Sequence, residues 1–98
     1  MKNLVVLPLP HFTKEEFIDK ADAIGKRLGW HEKKRENNYI RFKSKANLDS
    51  SFGNWIDVKF LTPTIAMILV SSVNKFQIAE GGATTENIAK FIELFYQT

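Results

Sequence analysis

Two stretches of helical period bracket a block in which apolar residues recur at every second position. That arrangement constrains the fold more than any other feature of the chain. Phe17, Ala21, Ile24 and Leu28 are spaced four, three and four apart, the single apolar stripe of an amphipathic helix. Near the other end Ile88, Phe91, Ile92 and Phe95 repeat the pattern, with Leu94 and Tyr96 widening it. In between the period drops to two. Ile40, Phe42, Ser44 and Ala46 share one strand face, and Tyr39, Arg41, Lys43 and Lys45 share the other. Ile56, Val58 and Phe60 alternate in the same way with Trp55, Asp57 and Lys59.

The first helix carries its own boundary signals. Thr13 followed by Glu16 has capping-box spacing, and Phe12 with Phe17 has the spacing of a hydrophobic staple. Glu15 and Glu16 suit the positive helix start, while Lys26 and Arg27 suit its end. Gly29 stands where a left-handed cap is wanted, so the helix is expected over residues 14–28. Gly25 lies inside it at a cost of about 1 kcal/mol relative to Ala, which suggests close packing on the sheet. In the second helix Gly81 and Gly82 break the chain, and Thr84 or Thr85 supplies the cap.

Strands are expected over residues 4–7, 30–35, 39–46, 55–61 and 65–72. Asn37 and Asn38 suit a tight hairpin because Asn tolerates left-handed backbone. Pro63 presets a turn between the last two strands. Residues 65–72 are apolar on both faces, as in a central strand or one covered by a helix. Residues 74–80 read as a short strand or a loop. The order β-α-β-β-β-β-(β)-α implies an α+β fold: one curved antiparallel sheet of about five strands with two helices packed on one face. With 98 residues and no linker, the chain is read as a single domain, 1–98.

Composition narrows the function. Apolar residues make up 44% and charged residues 26%, with twelve aromatics, which excludes a disordered chain. There is no cysteine, so disulfides, thiolate metal sites and cysteine nucleophiles are excluded. The longest apolar run, residues 65–70, falls far short of the roughly 20 residues a membrane helix needs. Leu4, Val5, Val6 and Leu7 are followed by Pro8, whereas an export signal needs about 7–15 apolar residues, so the protein is read as cytoplasmic.

Catalytic chemistry is thinly represented. His11 and His31 are the only imidazoles and belong to different elements, so neither a metal cluster nor an acid–base pair is visible. Ser50 and Ser51 lack the flanking glycines of a nucleophile elbow. Asp57 and Lys59 face the same way and are expected to pair weakly. Gly81 and Gly82 lack the length and the lysine of a phosphate loop. The protein is therefore read as a non-enzyme with no cofactor and no metal.

Charge supplies the remaining cue. Fourteen bases against eleven acids give +3, but residues 26–45 hold eight bases and two acids, or +6, leaving −3 elsewhere. Arg41, Lys43 and Lys45 recur on one strand face headed by Tyr39, with Trp55 and Lys59 beside them. Cations interleaved with aromatics are how single-stranded nucleic acid is held, phosphates on the bases and nucleobases on the rings. A solvated, lysine-protected strand face is the simpler explanation, because no aromatic–glycine RNA-recognition signature accompanies the row.

Gly29-Trp30, Tyr39-Ile40-Arg41-Phe42-Lys43-Ser44, Phe52-Gly53-Asn54-Trp55-Ile56-Asp57-Val58, Ser71-Ser72 and Glu86-Asn87-Ile88-Ala89-Lys90-Phe91 together resemble short bacterial α+β domains. The layout is similar to helix-grip and TATA-binding-protein-like sheets, in which a long helix lies in a concave sheet. The resemblance implies a sheet packed against helices and implies no catalytic residue. The leading reading is a non-catalytic interaction or small-ligand-binding module, with a protein or a small ligand as partner and no membrane insertion. The alternative is single-stranded nucleic-acid binding through Tyr39, Arg41, Lys43, Lys45, Trp55 and Lys59. A second subunit covering Tyr39 and Trp55 keeps a homodimer open.

Overall fold

The computed structural model describes residues 2–44, 53–72 and 81–97. Its elements run β1 (Lys2–Pro8), α1 (Lys14–Arg27), β2 (His31–Glu36), β3 (Tyr39–Lys43), β4 (Asn54–Thr62), β5 (Ile65–Ser72) and α2 (Gly81–Phe95). The five strands form one sheet in the order β1-β5-β4-β3-β2, with every neighbouring pair antiparallel. β2 to β5 are a meander, and β1 joins its far edge. The expected α+β architecture is present, and residues 74–80 lie outside the described residues.

Both helical stripes pack on one sheet face. Phe17, Ala21 and Ile24 of α1 and Ile88, Phe91 and Phe95 of α2 are buried against Ile40, Phe42, Ile56, Val58, Ala66, Ile68 and Val70. α1 lies over β2, β3 and β4, and α2 lies over β5 and β1. Phe95 is an aromatic hub, with ring centroids 5.7 Å from Phe12 and 5.8 Å from Phe17. Phe91 stacks on Trp30 at 6.1 Å. At Gly25 an added Cβ would stand 2.5 Å from Cε1 of Phe42, so the glycine lets α1 approach the sheet.

The first helix starts as its sequence indicates. Thr13 Oγ1 accepts from the Glu16 N–H at 3.1 Å, and Glu16 Oε1 accepts from the Thr13 N–H at 2.8 Å, a complete capping box. Leu28 is the C-cap, and Gly29 follows at φ 78°.

Two expectations require correction. The β2–β3 turn at Asn37 and Asn38 does not use left-handed backbone; the described non-glycine residue with positive φ is His11. Asn38 instead ties the hairpin to β4, its Nδ2 donating to the Phe60 carbonyl while its own carbonyl accepts from the Phe60 N–H. Helix α2 begins at Gly81, so Thr84 and Thr85 lie within it rather than capping it. Glycine is least unfavourable there because the first amides have no intrahelical partner to lose. β5 is an interior strand, as its two-sided apolar pattern indicates, and among the described residues a helix layer covers one of its faces.

Candidate functional site

The opposite face of the sheet carries no helix among the described residues, and alternation decides which side chains it receives. Inward residues of β3, β4 and β5 are buried, so their neighbours in sequence point outward. The register then lines these up in rows. One row crosses all five strands as Leu4, Leu69, Asp57, Arg41 and Lys34. The next runs Val6, Met67, Lys59, Tyr39 and Glu36. A third takes in Ser71, Trp55, Lys43 and His31. The face is therefore divided, apolar on β1 and β5 and polar to basic on β4, β3 and β2.

The polar half contains a preset cluster. Arg41 Nε donates to Asp57 Oδ1 at 2.7 Å and Nη2 donates to Oδ2 at 3.1 Å, a two-pronged charge-assisted pair. The Tyr39 hydroxyl donates to the same Oδ1 at 2.6 Å. The Arg41 guanidinium also lies over the Trp55 ring, 5.1 Å from its centroid, where the quadrupole attracts a cation. Asp57 is less accessible than its partner, with its side chain 12% exposed against 38% for Arg41. Burial, then the hydrogen bond to Asp57, raises the Tyr39 phenol above its ordinary 10. The Asp57 hydrogen bonds raise the Arg41 guanidinium further above its already high value.

Of the residues singled out from sequence, the sheet brings Tyr39, Arg41, Lys43, Trp55 and Lys59 together on this face. Lys45 lies outside the described residues. The expected Asp57–Lys59 pairing is not formed. Asp57 faces Arg41 directly across the β3–β4 ladder and binds it and Tyr39 instead, because opposed cross-strand residues approach more closely than residues two apart on one strand. Lys34, Lys43 and Lys59 have no ion-pair partner among the described residues.

Sequence reasoning missed the apolar half. Leu4 is 57% exposed, Val6 56% and Ile65 40%, with Met67 and Leu69 half-buried beside them. The signal was the two-sided apolar character of β5 combined with the uninterrupted apolar run of β1. It missed Asn54 as well. That residue is 1% exposed beside Ser44, and its Oδ1 has no hydrogen-bond partner among the described residues.

Other chemistry is sparse among the described residues. An open groove of about 210 Å³ lies between the ends of the helices, lined by Arg27, Leu28, Lys90, Glu93 and Leu94. Ligand pockets usually span roughly 300–1,000 Å³. His11 and His31 are both exposed, and no three His, Asp or Glu residues among those described stand close enough to hold a metal. No described helix is long and apolar enough to cross a membrane. No protein-family model matches the chain, and no curated protein matches it.

Proposed function

We propose that the protein is a non-catalytic interaction module that receives another protein on the open face of its sheet. The observation that carries this reading is the pairing, on a face that no described residue covers, of contiguous exposed apolar side chains with an Arg41–Trp55–Tyr39 cluster already held in place by Asp57. Arg, Trp and Tyr fixed before binding lose little entropy on association, and these residue types dominate interface energetics. The partner that fits is an apolar strip edged by carboxylates. The strip covers Leu4, Val6, Met67 and Leu69, and the carboxylates meet Lys34, Lys43 and Lys59.

Single-stranded nucleic acid is the weaker reading because its best contacts are already occupied. Both prongs of Arg41 used in the pair go to Asp57, the Tyr39 hydroxyl goes there too, and the guanidinium covers one side of the Trp55 ring. The helix-end groove itself, at about 210 Å³, is small for a ligand site. The helix-grip or TATA-binding-protein-like likeness belongs to this proposal, supported by the element order and the one-sided helix layer. So does a cytoplasmic location, supported by the cysteine-free composition.

Photo-crosslinking in the cells of origin tests the reading. Benzoylphenylalanine replaces Met67 or Lys59 on the open face, or Lys90 on the outer side of α2. The proposal expects one protein adduct from positions 67 and 59, none from 90, and loss of the adduct when Lys34 and Lys43 become Glu. An RNase- or DNase-sensitive adduct would move nucleic acid to first place. Equal adducts from all three positions, or none, would overturn the open-face assignment.

A further inference from the structure

The two edges of the sheet are built differently. β2, at one edge, reads His-Glu-Lys-Lys-Arg-Glu, is exposed at all six positions and has a register irregularity between Glu32 and Lys34. Charges and bulges of this kind block pairing with another strand. β1, at the other edge, has no charged residue from position 3 to position 8, no bulge in its pairing with β5, and no strand on its outer side among the described residues.

Hydrogen-bond parity shows which β1 groups are free. The Leu9 N–H donates to the Thr64 carbonyl at 2.9 Å, one step beyond the Pro8–Ile65 pair and in the same register. Alternation along the strand then directs the N–H and C=O of Val5 and Leu7 toward β5, and those of Leu4 and Val6 outward. The Pro8 carbonyl also points outward, and the Tyr96 hydroxyl donates to it at 2.6 Å. Pro8 thus sits where its missing N–H removes nothing from the β1–β5 ladder.

We propose that a second copy of this chain pairs with β1 antiparallel about a two-fold axis at Val5, joining two sheets into one of ten strands. That axis sets Leu4 opposite Val6 of the other copy and Val6 opposite its Leu4. The four outward backbone groups of Leu4 and Val6 are satisfied reciprocally, and their side chains become cross-strand neighbours that extend the apolar half of the open face. No like charges meet, whereas the same operation centred on Lys34 of β2 would set Lys34 against its own copy and Lys33 against Arg35.

Helix α2 adds a second layer suited to a copy of itself. The Tyr96–Pro8 hydrogen bond places Tyr96 above the β1 edge, and Ile92 and Ala89 lie one and two turns earlier on the same helix face. Neighbouring strands stand about 4.8 Å apart, so helices centred between β1 and β5 in each copy would lie about 10 Å apart. Helices pack at roughly 8–10 Å. A stable dimer buries roughly 800 Å² on each partner, which a strand edge alone does not supply and a strand plus an apolar helix stripe can.

The chain's lack of cysteine makes the register directly testable. In the proposed dimer Val5 faces its own copy in a non-hydrogen-bonded pair with Cα atoms about 4.5 Å apart, within disulfide range. Val5→Cys is expected to cross-link under glutathione redox buffer, whereas Leu4→Cys and Val6→Cys cross-link only when mixed. In sedimentation equilibrium from about 10 μM to about 1 mM the wild type should approach the mass of two chains. Val6→Pro removes an outward N–H that β5 does not use, so it should leave the circular dichroism spectrum intact. It should weaken the dimer at least about a hundredfold, because two hydrogen bonds are lost by symmetry. A wild type that stays monomeric throughout, a dimer that survives Val6→Pro, or Val5→Cys that fails to cross-link would each overturn the proposal. Positions 67 and 59, which test the open face, lie off this edge, so either assignment can fail alone.

Discussion

The Phe42 ring occupies the space that a side chain at Gly25 would need, with Cε1 2.5 Å and Cζ 2.6 Å from the position of a Cβ. Phe42 is 1% exposed and packed against Trp30, so it cannot swing away freely. Gly25→Ala gains about 1 kcal/mol of helix propensity but overpacks the core, which costs about 1–3 kcal/mol. A net loss of up to about 2 kcal/mol is expected in urea melts. Trimming the ring should absorb the methyl: in a Phe42→Leu background, Gly25→Ala should be neutral within about 0.5 kcal/mol. A more stable Gly25→Ala single variant would refute the close contact.

The capping box predicts a pH-dependent start to α1. Hydrogen bonding with the Thr13 backbone N–H, then with its side chain, holds the Glu16 carboxyl below its ordinary 4.5. A lowered folded value means the stabilisation is present above pH 4.5 and fades as pH falls through the folded value. Thr13→Ala should lower stability by about 0.5–2 kcal/mol at neutral pH. Glu16→Gln should reduce the acid-side slope in thermal melts taken from pH 7 to pH 3, leaving the part that Glu32 contributes, and an unchanged slope would show that Glu16 does not act through the cap.

On the open face, Asp57 governs two neighbours. Tyr39 has a raised phenol pKa, so its contribution to stability is present below pH 10 and is lost as pH rises through the folded value. Asp57→Asn should bring the Tyr39 ionisation down while leaving it above 10, because burial remains the larger cause. Phenolate absorbance near 295 nm, with Tyr39→Phe as the blank, reports this directly. The same variant frees Arg41 and should steepen the salt dependence of oligonucleotide binding by about 0.7 per new single-strand phosphate contact. In wild type, changing Arg41, Lys43 and Lys45 together to Gln should alter oligonucleotide affinity little. A large loss would favour the nucleic-acid reading.

Arg35 bridges β2 to α1, donating to Asp22 Oδ1 at 2.9 Å and to Glu32 Oε1 at 2.8 Å. These side chains are 39%, 21% and 40% exposed, so water and salt screen them. A double-mutant cycle between Arg35→Ala and Asp22→Ala should give a coupling of at most about 1 kcal/mol. It should shrink further in about 1 M salt, where the screening length is near 3 Å. Coupling that persists in high salt would mark the bridge as a structural strut.

The helices were legible in the sequence because their signals are local. Thr13, Glu16, Gly29 and the Phe17–Ala21–Ile24–Leu28 stripe each act within one or two turns. The strand faces were also legible from alternation, as Ile40 and Phe42 against Tyr39 and Arg41 illustrate. What escaped is what depends on strand order. That Asp57 meets Arg41 rather than Lys59 follows from cross-strand register, and that β1 lies beside β5 follows from pairing across some sixty residues of chain. The apolar half of the open face escaped for the same reason, since Leu4, Val6, Met67 and Leu69 become one surface only once those two strands are neighbours.

The placement of β1 also orders events during synthesis. β1 leaves the ribosome well before β5, since its ladder partner spans Ile65–Ser72 and the helix that roofs it follows that strand. The β2–β5 meander can assemble from near neighbours while β1 waits. Until β1 docks, β5 is itself a bare edge that is apolar on both faces, the kind of transient surface that recruits other nascent chains. Moving the β1 segment to follow β5 through a short turn would convert this long-range closure into a hairpin. Such a rearranged chain should fold faster and aggregate less during refolding, with the same five strands in the same spatial order.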